Sequence, residues 1–197
     1  MFAVVVLISG SGSNLRALLE AADEARLPAN IVGVAADRDC PGLMFAVDRG
    51  IPTTVCRPQD FANRELWGAA LATLILLWQP NLVVSAGFMR ILPATVIEPL
   101  YPRLINLHPA LLPLYPGVHA VRDALADGAT VTGTTIHIVD EGVDTGPVIR
   151  AREVPVQPGD SESTLHERIK VVERNLIVET VAEIARDQID LEEIARR

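Results

Sequence analysis

One stretch limits the fold more than any other. The run FAVVVLI (Phe2–Ile8) passes directly into the glycine loop SGSGSNL (Ser9–Leu15). A continuous apolar, largely β-branched run without polar alternation is the pattern of a strand buried on both faces of a parallel sheet. It is too short to span a bilayer, and it has no basic flank of the kind that precedes a secretory leader. It reads as the first strand, and the expected location is cytoplasmic, with no membrane partner.

The rest of the chain repeats that beginning. Asn14–Leu27 has helical spacing, with Leu15, Leu18 and Leu19 on one face. Asn30–Asp37 reads as a strand, Gly42–Gly50 as a short helix closed by glycine, and Thr53–Cys56 as a third strand. A long helix over Ala62–Trp78 stops before Pro80, and the strand Asn81–Gly87 follows. Arg103–Asn106 is a further short strand. Val131–Asp140 alternates strictly and reads as half-exposed, Pro147–Val156 is another strand, and Glu162–Asp187 is a long helix. Strand alternating with helix predicts an α/β fold: one domain over residues 1–197, with a mostly parallel twisted sheet and helices on both faces. Residues 1–100 would form a phosphate-binding half, and 101–197 a catalytic half with the last long helix. With 49% apolar residues, 197 residues suffice for one buried core.

Charge narrows the partners. The net charge is −8 and no basic cluster stands out, which disfavours a nucleic-acid partner and leaves room for a small anionic one. Cys40 and Cys56 are too few for a disulfide framework or zinc site and read as small buried hydrophobes. No histidine pair has metal-ligand spacing, so no metal is expected. Trp67 and Trp78 share a helix face that reads as core, and a homodimer stays open.

The glycine loop lies between the first strand and first helix, where backbone N–H groups and the positive helix end receive anions. Leu15 stands where a dinucleotide fingerprint needs its third glycine, and no acidic residue about 20 positions on clearly ends a strand in the expected role. No Walker lysine follows. Ser11, Ser13 and Asn14 around Gly10 and Gly12 suit a phosphate monoester; the bland alternative is a tight turn with a capped helix.

Asn106 and His108 sit near a strand's carboxyl end, and side-chain alternation puts them on one side of the backbone. Pro109 biases His108 away from helix and keeps the pair extended. A carboxamide beside an imidazole equips a site to stabilise an oxyanion at an acyl carbon. A neighbouring carboxylate would raise the imidazole pKa, and Asp140, Glu141 and Asp144 are the candidates. Each residue alone also has a structural reading, and His119, His137 and His166 are left structural. No nucleophile elbow or reactive cysteine is present, so direct acyl transfer to an amine fits better than a covalent intermediate.

Together these segments resemble the folate-dependent formyltransferases. VVVLISGSGSNLRALLE, NLVVSAGFMRIL, INLHPALLPLYPGVHA, VTGTTIHIVDEGVDTGPVI and GDSESTLHERIKVVE carry the likeness over nearly the whole chain. The resemblance implies a formyltransferase-like fold with a Rossmann-like first half. It implies that Asn106, His108 and Asp144 form the catalytic trio, with Asp144 raising the His108 pKa. It also implies that Gly12, Ser13, Asn14 and Glu173 hold a phosphoribosyl substrate, glycinamide ribonucleotide. Arg64, Met89, Arg90, Ile91, Leu92, Asn106, Asp140, Glu141 and Asp144 would receive the cosubstrate, 10-formyltetrahydrofolate. The expected reaction moves the formyl group from folate to the ribonucleotide amine in purine biosynthesis. A folate hydrolase or another N-formyltransferase is the alternative; a methionyl-tRNA formyltransferase should carry an additional basic domain. Arg174 stands where the family often has histidine.

Overall fold

The structure, a computed structural model, describes residues 1–196. Its strands are β1 (Phe2–Ile8), β2 (Ala29–Ala36), β3 (Thr53–Val55), β4 (Leu82–Ser85), β5 (Leu104–His108), β6 (Val131–Ile138) and β7 (Val148–Pro155). They form one seven-stranded sheet in the order β3-β2-β1-β4-β5-β6-β7. The first five are parallel, and β6 and β7 are antiparallel additions.

The helices are α1 (Ser13–Asp23), α2 (Met44–Val47), α3 (Arg64–Leu77), α4 (Ala94–Leu100), α5 (Ala120–Ala126), α6 (Glu162–Ala185) and α7 (Leu191–Ala195). Strand β1 shows why both sheet faces are covered. Val4, Val6 and Ile8 pack with Leu15 and Leu18 of α1 and Leu176 and Ile177 of α6. Val5 and Leu7 point the other way, to Trp67 and Leu71 of α3 and Val96 and Ile97 of α4. All five β1 side chains are fully buried, each burial contributing about 1.5–3 kcal/mol before the entropy cost of ordering. Trp67 stacks on Phe88 with centroids 6.4 Å apart, and its indole N–H donates to the Cys56 carbonyl. Trp78 packs over Gly33, where a Cβ would overlap its ring. Both tryptophans thus serve the core.

Several boundaries differ from the sequence expectation. Helix α1 stops at Asp23, not Leu27, because Ala25 turns left-handed and the Arg26 and Leu27 amides fold back to the Ala21 carbonyl. Asn63 caps α3 by accepting from the Leu66 amide at 2.9 Å, and Gln79, left-handed before Pro80, ends it. Strand β5 runs on to His108. Helices α4, α5 and α7 have seven, seven and five residues, too short to show a repeating apolar face.

The largest correction concerns β6, expected to be half-exposed. Seven of its eight residues are buried. Its polar side chains are buried because they bond internally: Thr135 donates to the Ala110 carbonyl, Thr134 to Glu173, and His137 meets Asn106. Among the described residues no helix is long and apolar enough to cross a membrane.

Candidate active site

The chain leaves β1 toward β2 and β3, then returns to place β4 on the other side of β1. At such a reversal the loops beyond the strand ends diverge and leave a crevice. A cavity of about 450 Å³ lies there, lined by the glycine loop, the segment after β4, the end of β5 and the loop after β6.

The glycine loop forms one wall. Gly12 is the left-handed residue before α1, with φ 69°. Its Cα lies against Gly42, and a Cβ on Gly12 would stand 2.8 Å from the Gly42 Cα. The Gly42 amide also donates to the Gly10 carbonyl at 3.1 Å. Ser13 and Asn14 open α1, so their amides lie at its positive end. The Asn14 amide donates to Glu173 at 3.4 Å, and Thr134 donates to the other Glu173 oxygen at 3.5 Å. Burial pushes the Glu173 carboxyl above its ordinary range. The Asn14 Oδ1 is buried without a hydrogen-bond partner.

Across the crevice, His108 and Asn106 point from β5. The His108 Nδ1 is 3.2 Å from Asp144, whose other oxygen is 3.5 Å from the His137 Nε2. The Asn106 amide lies 3.2 Å from that same nitrogen. The Ile138 carbonyl is 2.9 Å from the His137 Nδ1, so that nitrogen carries a proton, and Nε2 lies between the Asn106 amide and Asp144. Asp144 reaches the site because its loop is tightly shaped. Asp144 is left-handed, Asp140 accepts from Thr145 at 2.8 Å and from the Gly142 amide at 3.1 Å, and a Cβ on Gly146 would overlap the Ile138 carbonyl.

The electrostatics qualify the role implied for Asp144. Burial lowers the His108 pKa, and this outweighs the upward pull of Asp144 and of the Tyr115 carbonyl. Burial raises the Asp144 carboxyl, yet His137, the Gly117 amide and His108 together hold it below its ordinary value. The Tyr115 carbonyl is 2.8 Å from the His108 Nε2. A neutral ring donates to only one of its two acceptors, while a protonated ring donates to both. Burial and paired acceptors therefore oppose each other in one imidazole.

The segment after β4 forms a third wall. Met89 and Ile91 are 64% and 58% exposed, while Leu92 is buried. Arg90 lines the cavity; Arg64 does not, but bonds the Ile91 carbonyl at 3.0 Å from behind. Asp140 borders the cavity and Glu141 stays exposed outside its lining. Among the lining residues, His137, His166 and Lys170 have no role assigned from the sequence. His137 reads as structural there because its strand looks half-exposed. His166 and Lys170 precede Glu173 at helical spacing on α6, a pattern legible once Glu173 is placed in the site. Asp37 is a correction of another kind. It does end a strand, directly after β2, but Arg38 and Arg90 occupy its carboxylate, so it is closed to a ribose. No group of three or more His, Cys, Asp or Glu side chains among the described residues is placed to hold a metal.

An imidazole 3.2 Å from a carboxylate, sharing one cavity with a carboxamide and a glycine loop at an α/β switch point, is the equipment of a protein built for acyl transfer. Residues 2–181 match the family model described as formyl transferase. The chain is 50% identical to a phosphoribosylglycinamide formyltransferase of Mycobacterium tuberculosis over 92% of this chain and 84% of that protein. It is 40% identical to the Escherichia coli (strain K12) protein of the same name, over 86% and 81%. The crystal structure of glycinamide ribonucleotide transformylase 1 from Symbiobacterium toebii superposes with a TM-score of 0.92 at 38% identity, covering 95% and 89% of the two chains. The chain belongs to the formyl transferase family.

Proposed function

We propose that this chain transfers the formyl group of 10-formyltetrahydrofolate directly to the primary amine of glycinamide ribonucleotide. The observation that carries the reading is the 3.2 Å approach of His108 to Asp144 in the same cavity as the glycine loop. Gly12, Ser13 and Asn14 hold the phosphate, and Glu173 with Asn14 takes the ribose hydroxyls. The folate lies along Met89–Leu92 and the Asp140–Asp144 loop, where exposed Met89 and Ile91 offer flat apolar contact and Arg64 fixes the wall from outside. All these residues belong to one chain, so a homodimer would be accessory. We place the reaction in the cytoplasm.

An α-amine with a pKa of about 8 is partly neutral near pH 7 and attacks without a strong base. As it attacks the formyl carbon, the C=O electrons move to oxygen. The second Asn106 amide proton, not used on His137, stabilises the oxyanion. The downward-shifted His108 is mostly neutral at pH 7, so it accepts the proton shed by the amine. The charged ring keeps its Nδ1 proton on Asp144 and passes the Nε2 proton to the folate nitrogen as the C–N bond breaks. A substrate atom engaging the Nε2 takes the place of the Tyr115 carbonyl. Asp144 orients the ring and stabilises its charged form.

The test is to incubate the formyl donor with glycinamide ribonucleotide, with other primary amines, and with no amine. The expected result is formyl transfer that depends on the ribonucleotide. Release without amine means a hydrolase and overturns the proposal, as does equal transfer to every amine.

A further inference from the structure

We infer that Asp37 is a positioning residue for the folate cosubstrate: its buried carboxylate fixes Arg90 directly and Met89 through Ser9, and so sets the wall against which the folate lies. The inference rests on assigning the Met89–Leu92 wall to folate. The Asp37 side chain is wholly inaccessible, although a chain of net charge −8 leaves most of its carboxylates in water. A buried carboxylate persists only where donors replace water. Here Arg38 donates at 2.8 Å, Arg90 through Nε at 2.7 Å, and the Ser9 hydroxyl completes the set. The Ser9 oxygen accepts the Met89 amide at 2.8 Å, leaving its single proton for Asp37.

The network thus ties three strand ends together: Ser9 after β1, Asp37 after β2, and Met89 with Arg90 after β4. The wall needs this tie. It has no regular secondary structure, and Met89 and Ile91 are too exposed to be held by packing. Burial alone would raise the Asp37 carboxyl, but Arg38, Ser9 and Arg90 bring it down to about 2, so the tie is charged throughout the working pH range.

Asp37→Asn keeps the shape and removes the charge. The expected result is a KM for the folate raised about tenfold, with kcat and the KM for the ribonucleotide within about twofold, the scale of losing one charge-assisted bond. The effect should be the same at every pH at which the enzyme works. Arg90→Ala should raise the folate KM as well, and the double variant should be no worse than Arg90→Ala alone. An unchanged folate KM in Asp37→Asn beside a raised one in Arg90→Ala overturns the inference, as does an equal rise for both substrates. If Arg90→Ala also leaves the folate KM unchanged, the wall is misassigned and the inference goes with it. Should Asp37→Asn fail to fold, Ser9→Ala removes the Met89 tie and one Asp37 donor while leaving the carboxylate in place, and it carries the same expectation for the folate KM.

Discussion

In the proposed mechanism His108 holds the chemistry because it is both buried and flanked by acceptors. Removing one oxyanion donor from an acyl-transfer site costs about 10²–10³ in rate, so Asn106→Ala should lose kcat on that order, with more lost in His108→Ala and the fold kept in both. Steady-state kinetics with circular dichroism checks this, and near-full turnover in His108→Ala would remove the ring from the mechanism. In the wild type, the imidazole should titrate below its ordinary value of 6.5 by NMR. Asp144→Asn should move the midpoint lower still, because the carboxylate is the larger upward influence; a midpoint that rises would show that Asp144 does not support the charged ring. At this scale the sequence was informative where geometry is local. Asn106 and His108 share one side of an extended strand, and Pro109 keeps it extended. It pointed the wrong way on the sign of the His108 shift: a neighbouring carboxylate was expected to raise it, but burial, set by residues far along the chain, brings it down.

Among the elements, the turn from β1 into α1 is the most demanding. Gly12 is left-handed and touches Gly42, so Gly12→Ala meets both backbone strain and a clash with main-chain atoms. It should destabilise the protein by about 1–3 kcal/mol and raise the KM for the ribonucleotide more than that for the folate. Thermal melting and the two KM values test this, and equal changes in both would argue against a phosphate role for the loop. The strand pattern was readable because a run buried on both faces leaves no other parallel arrangement. Strand β6 misled because a polar side chain reports polarity, not exposure: Thr134 on one face and Thr135 and His137 on the other are each satisfied inside the protein. Helices α4 and α5 span too few turns for any face to repeat.

Across the whole molecule, stability should follow the buried acids and bases. The Asp37 carboxyl is held at about 2 against 3.8, worth about 2 kcal/mol present above 3.8 and lost as pH falls through 2. His108, lowered by burial, binds a proton less readily than in the unfolded chain, so its contribution also grows as pH rises toward 6.5. Glu173, raised by burial, acts with the opposite sign. Comparing wild type with Asp37→Asn isolates the first contribution: the gap between their unfolding free energies should widen from pH 2 to about pH 4 and then stay level. A gap that is constant across that window would mean that Asp37 is not charged when folded. The arrangement of the sheet also bears on how the protein comes into being. Asn14 meets Glu173 across 159 positions of chain. A ribosome therefore releases the glycine loop early in synthesis and the carboxylate that meets it late, so the two sides of the proposed nucleotide site come together only when the chain is nearly complete.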